Sequence, residues 1–303
     1  MTSASVMNDK PCWERDGHSW PNRECSRFVE AGGLRWHIQE AGSGPPLLLI
    51  HGTGAASHSW GGLLPLLAEH FQVLALDLPG HGFTAAPEPK QLSLPGMAAA
   101  VSALTQSLGF VPEIAVGHSA GAAILARMCL DGSIQPRLLF SLSGALLPLR
   151  GFAGKWFSPA AKLFARSSVV PRFFARGARK DPRSVKRMAD GTGSRLTPEG
   201  IALYRLLISY PGHLAAALNM MANWDLEPMV RELPQLKPQL VLVSFEDDKT
   251  IPPIEAEQVK RLVSSAQLRR LPSLGHLGHE EHPLAILELI MREVGNSKPV
   301  LGG

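Results

Sequence analysis

A serine set between glycines is the first group of residues in this chain that could do chemistry. Gly117-His118-Ser119-Ala120-Gly121 follows a short strand-like stretch, residues 113–116, and precedes an Ala-rich one. In such a G-x-S-x-G turn a strand passes sharply into a helix and lifts the serine Oγ into a cleft. The glycines two residues to either side let neighbouring chains pass closely. The Ala120 N–H would then sit at a helix N-terminus, where developing negative charge is stabilised. The bare pattern is weak, because a serine in a βα turn can simply cap the helix. Here the strand before it and the helix after it supply the context that the motif requires.

A serine hydroxyl needs a base, and the base needs an acid to orient it. In this architecture the chain order is serine, acid, histidine. Three acids compete for the second place, Glu246, Asp247 and Asp248, directly after the apolar run 240–243. Three histidines compete for the third, His276, His279 and His282, in GHLGHEEHP. Their spacing of three could suggest a metal site. The adjoining glycines and proline argue against a regular helical face, and there is no HExxH pattern, so no metal is expected. His276 is read as the base, His279 as a brace for the loop and His282 as a surface residue at a helix start. The Gly-rich His51-Gly52-Thr53-Gly54 would supply a second oxyanion donor, the Thr53 N–H, beside that of Ala120. His51 and His118 are expected to hydrogen-bond within their loops. His58 and His213 have no partner legible in the sequence.

These groups require a particular scaffold. The unbroken apolar runs 47–50 and 73–76 read as strands buried in the core, and 113–116, 138–142, 240–243 and 267–271 as four further strands. Residues 27–30 and 34–39 flank Ala31-Gly32-Gly33 and read as a hairpin. Helical stretches are expected at 63–70, 95–108, 255–263 and 284–294. Strands alternating with helices predict a mostly parallel sheet covered on both faces. The alternation stops between about residues 146 and 236, which reads as a helical insertion. The expected division is a polar, loose tail over 1–25, a core over 26–146 and 237–303, and an inserted helical cap over 147–236.

Composition narrows the class. The chain has 303 residues, 45% hydrophobic and 18% charged, which excludes disorder and collagen-like repeats. Three cysteines, Cys12, Cys25 and Cys129, are odd in number and contain no CxxC pair, so neither a disulfide framework nor a zinc site is expected. The first residues lack the apolar core of a secretory signal. The longest strongly apolar run, 138–149, is too short to span a bilayer. A soluble, cytoplasmic protein is expected. The formal charge is +4, yet residues 150–190 hold eleven Lys/Arg against two Asp/Glu, so the remainder is acidic. That block contains no recognised nucleic-acid module, and nucleic-acid binding is set aside.

Together, HGTG, DLPGHG, GHSAG, DDKTIPP and GHLGHEEHP resemble the α/β-hydrolase superfamily from about Arg27 to Val294. The resemblance implies the α/β-hydrolase fold, a mostly parallel central sheet flanked by helices with an inserted helical cap. It places the acid three residues before the Ile251-Pro252 pair, which selects Asp248 and leaves Asp247 in reserve. It makes the first histidine of GHxxH, His276, the base. One departure is Phe245, where the family commonly has glycine.

Longer words narrow the resemblance. Trp20-Pro21-Asn22-Arg23-Glu24, residues 51–60, Leu94-Pro95-Gly96-Met97-Ala98, residues 117–125 and residues 220–226 are similar to the magnesium chelatase accessory family of bacteriochlorophyll synthesis. That implies a place near Mg²⁺ insertion into a porphyrin, with a tetrapyrrole as small-molecule ligand and chelatase subunits as partners. It implies no particular reaction and no cofactor. A basic cap carrying Phe152, Trp156, Phe157, Phe164, Phe173 and Phe174 would suit a disc with anionic propionates, or peripheral contact with an anionic inner-membrane surface. Equally, it could be a cap helix with a solvated basic face. Lys162 and Arg166 would share one face of a helix that starts at Ser158-Pro159.

Overall fold

The computed structural model describes residues 9–148 and 169–297. Eight strands form one sheet in the order β1-β2-β4-β3-β5-β6-β7-β8. They are β1 (Ser26–Ala31), β2 (Leu34–Ala41), β3 (Pro46–Ile50), β4 (Gln72–Leu76), β5 (Ile114–His118), β6 (Leu138–Leu142), β7 (Gln239–Phe245) and β8 (Gln267–Leu271). β1 and β2 form the expected hairpin, and β2 also runs antiparallel to β4. All pairings from β4 through β8 are parallel.

The unbroken apolar runs are explained by helices on both faces. Leu48 and Ile50 of β3 face α2 (Leu94–Ser107) and α3 (Ala120–Leu130). Leu47 and Leu49 face the opposite layer, built from α1 (Leu63–Ala68) and the C-terminal helix Pro283–Asn296. Alternate residues thus feed two cores, which leaves no position on the strand for a polar side chain.

Between β6 and β7 the described residues are helical. They comprise α4 (Val169–Lys180), α5 (Pro182–Gly191), α6 (Pro198–Ile208), α7 (Pro211–Ala222) and a short turn, Glu227–Glu232. Asp181 and Thr197 cap α5 and α6 by accepting from the Arg183 and Gly200 N–H groups. After β7 comes α8 (Pro253–Leu262), and Pro283–Asn296 is α9. Phe152, Trp156, Phe157, Ser158, Pro159, Lys162, Phe164 and Arg166 lie outside the described residues. Among the described residues no single helix is long and apolar enough to cross a membrane.

The loose tail is corrected over residues 9–25. Trp20 is buried, and its indole N–H donates to Ser57 Oγ at 3.1 Å. Trp13 packs edge-on to Phe28 and Phe83, and Arg23 covers its outer face. Two indoles bury enough apolar surface to fix a segment whose average composition is polar.

Candidate active site

The strand order brings the motif loops together. Ile50 is level with Gly117, so the loop after β3 abuts the loop after β5. β7 and β8 end two and three positions along the same edge. Parallel strands end on one side, so Ser119, Asp248 and His276 all emerge there.

Ser119 has φ +52° and ψ −119°, a conformation that costs a non-glycine residue on the order of 1–3 kcal/mol. Surrounding bonds hold it there. Its N–H donates to Leu142 O at 3.0 Å, and its carbonyl accepts from Ala122 and Ala145. The turn needs its last glycine, because a Cβ on Gly121 would lie 2.1 Å from Ile50 O.

Of the three acids, only Asp248 is buried; Glu246 and Asp247 are exposed. Asp248 Oδ1 accepts from the N–H groups of Thr250 (2.7 Å) and Ile251 (2.9 Å). Its Oδ2 accepts from His276 Nδ1 at 2.8 Å. Phe245 does not crowd this loop. Its ring lies in the core with Val243, Leu274 and Ile286. Ser119 and His276 line one cavity of about 470 Å³, together with Thr53 and Ala120. The other two histidines go elsewhere. His279 is buried between Trp60 and His118, and burial pushes its pKa down to about 3. His282 caps α9 through the Ala285 N–H.

Partners that the sequence leaves unnamed hold these loops. His51 Nε2 accepts from the Leu78 N–H at 2.9 Å, so its proton resides on Nδ1, which donates to Gly52 O at 2.7 Å. The Gly52 carbonyl and the Thr53 N–H belong to one planar trans peptide and point oppositely. His51 therefore sets the direction of the Thr53 N–H. His213 of α7 accepts from the Gly82 N–H and donates to Gly54 O, both at 3.1 Å. His118 Nε2 donates to His276 O at 2.9 Å, across to another loop rather than within its own. His58 packs against Trp20 and against Tyr204 of α6.

A segment after α5 also braces the site. Thr192 O accepts from the N–H groups of Lys249 (3.1 Å) and His276 (3.3 Å). Buried Ser194 accepts from the Leu277 N–H at 2.8 Å through its Oγ. Gly193, at φ +87°, passes so close that a Cβ would lie 2.0 Å from Asp247 O. This strap ties the loop of Asp248 to the loop of His276. Ser194→Ala strands a buried N–H, a loss of about 1–3 kcal/mol. The expected result is a roughly tenfold slower reaction of Ser119 with a fluorophosphonate, measured as a labelling rate constant. An unchanged rate would mean that the strap does not hold the histidine loop.

Burial pushes His51 down to about 4 and His58, His81 and His213 to about 3, as it does His279. Below an unfolded-state pKa of about 6.5 the unfolded chain takes up protons that these rings refuse. Stability therefore falls as the pH drops. Glu280 acts with the opposite sign. Burial, opposed by the Tyr204 hydroxyl at 2.6 Å, raises it to about 8. Its contribution is lost as the pH rises from about 4.3 towards that value. With His118, which burial also holds well below its usual value, six rings outweigh one carboxyl. Thermal melts should peak near pH 6–7, fall steeply towards pH 5 and fall gently towards pH 8. Glu280→Gln should flatten the alkaline limb and, by removing an opposing slope, steepen the acid one.

Residues 47–289 match the alpha/beta hydrolase family. The chain belongs to that family. It is 34% identical over 268 residues to the magnesium-chelatase 30 kDa subunit of Rhodobacter capsulatus, covering 86% of this chain and 92% of that one. It is 29% identical over 262 residues to the pyrrolizixenacetamide deacetylase of Xenorhabdus hominickii, covering 82% and 90%. Among solved structures, an alpha/beta hydrolase fold protein from Burkholderia ambifaria superposes with a TM-score of 0.74 at 22% identity, over 88% of this chain and 97% of that one.

Proposed function

We propose that this protein is a serine hydrolase of bacteriochlorophyll synthesis that acts on a tetrapyrrole or a close precursor as an accessory to magnesium chelatase. The observation that carries the chemistry is the buried Asp248–His276 hydrogen bond opening onto the cavity that Ser119 also lines. Ser119 Oγ attacks an ester carbonyl as its proton passes to His276 Nε2. Asp248 fixes the imidazole with its proton on Nδ1 and stabilises the cation that forms. The Thr53 and Ala120 N–H groups receive the oxyanion. His276 then protonates the leaving alcohol, and water repeats the sequence to release the acid. The pathway rests on the relative named as a magnesium-chelatase subunit.

The proposed division is a core over 26–146 and 237–303 with a basic cap over 147–236. The cap also suits peripheral contact with an anionic membrane. Phe173 and Phe174 of α4 are exposed beside Arg172, Arg176 and Lys180. A second reading, a porphyrin-binding or chelatase-assisting protein that does no chemistry, is favoured by the same relative's name, which is that of a chelatase subunit and not of a hydrolase.

Fluorophosphonate labelling of the purified protein separates the two. The expected result is labelling that disappears in Ser119→Ala and is slowed by protoporphyrin. A folded wild-type protein that does not label would refute the hydrolase reading and leave the assisting role. Labelling indifferent to protoporphyrin would retain the hydrolase and remove the tetrapyrrole.

A further inference from the structure

Among the described residues of the basic block, the cations and the wall of the cavity are separate surfaces. α5 divides them. Val185, Met188, Ala189 and Thr192 face the cavity. Lys186 and Arg187 face solvent, paired with Asp190 and Asp181. α7 offers a second apolar stripe, Leu214, Ala217, Leu218 and Met221, at helical spacing of three and four. No Lys, Arg, Asp or Glu lines the cavity among the described residues. Its titratable groups are three histidines and Tyr204. Both nitrogens of His213 are engaged by backbone groups, so it offers a ligand neither a charge nor a spare donor. Tyr204 already donates its proton to Glu280.

From this wall we infer that the group entering the cavity beside Ser119 is an uncharged, apolar acyl chain or its equivalent, and that any carboxylate of the substrate stays outside it. The inference rests on the hydrolase reading and specifies its substrate. A carboxylate drawn against α7 would leave its water for one neutral donor at most, the unpaired indole N–H of Trp224, and for no cation among the described lining residues, which is strongly unfavourable. A methylene drawn to the same place is stabilised by burial. For a tetrapyrrole, the portion admitted would be an esterified side chain, with free propionates left outside the cavity.

The test uses two fluorophosphonates of equal chain length, one ending in a methyl group and one in a carboxylate. The rate constants for labelling Ser119 are compared. The neutral probe should react at least roughly 100-fold faster. Leu218→Arg places a cation in the wall and should narrow the gap at least about tenfold. Met188→Arg, at the half-exposed rim, does the same if the first variant does not fold. Equal rates for the two probes in wild-type protein would overturn the inference while leaving the serine chemistry intact. A gap unmoved by either arginine would overturn it too, since the missing cation would not be its cause. A protein that reacts with neither probe fails the hydrolase reading itself.

Discussion

Asp248→Asn should slow hydrolysis, and labelling of Ser119, by about 10⁴-fold without unfolding the protein. The loss follows from the way the carboxylate is held. Its Oδ1 accepts two backbone N–H groups, from Thr250 and Ile251, and only an oxygen can occupy that place. In asparagine the carbonyl oxygen must therefore stay there, and the amide nitrogen turns to His276 Nδ1. The imidazole then accepts at Nδ1 and carries its proton on Nε2, so the nitrogen proposed to serve Ser119 has no lone pair to take the hydroxyl proton. Shape and volume barely change, and the melting temperature should stay within a few degrees of wild type. Asp247→Asn, on an exposed neighbour, should stay within a few-fold of wild-type activity. The check is the labelling rate constant of both variants beside their melting curves. Asp248→Asn within tenfold of wild type, or Asp247→Asn as impaired as Asp248→Asn, would falsify the assignment of the acid.

The contrast between these neighbours marks where sequence reading succeeds and where it stops. Strands such as Leu47–Ile50 announce themselves, because burial on both faces demands an unbroken apolar run. Ser119 announces itself because its turn tolerates only small neighbours. Choosing among Glu246, Asp247 and Asp248 needed a family spacing, since three adjacent acids carry no periodic signal. The bracing groups were illegible. His51 reaches Leu78, His118 reaches the carbonyl of His276, and His213 reaches Gly54 and Gly82. Those contacts cross up to 159 residues of chain, and no local pattern encodes them. The strap over Thr192–Ser194 reads as ordinary Gly-Thr-Gly-Ser loop. Only the fold reveals that its carbonyl and hydroxyl hold the histidine loop. Residues 9–25 misled for a related reason, as average polarity hides two anchoring tryptophans.

Asp77 is the most consequential residue that local reading passes over, and Asp77→Ala should destabilise the protein by about 3–5 kcal/mol. In the sequence it merely opens a breaker-rich turn, Asp77-Leu78-Pro79-Gly80. In the fold it is fully buried and receives three donors. Oδ1 accepts from the Ser57 N–H at 2.7 Å. Oδ2 accepts from the Phe83 N–H and from His37 Nδ1, each at 2.9 Å. One carboxylate thus joins β2, the loop that carries Thr53, and the loop that receives His213. Burial works to raise its pKa, but His37 and His51 and the Phe83 N–H outweigh it and hold the group well below the usual carboxylate range. With the folded pKa below the unfolded one, its contribution is complete above about pH 4 and is lost as the pH falls further. Alanine would strand two backbone N–H groups and an imidazole in a dry interior, against a total stability of about 5–15 kcal/mol. Urea unfolding should give a midpoint well below wild type with an unchanged slope. The Thr53 loop, released from Ser57, should also label more slowly at Ser119 while the variant is still folded. A loss under about 1 kcal/mol would mean that water replaces the carboxylate and that the three loops are held by packing alone.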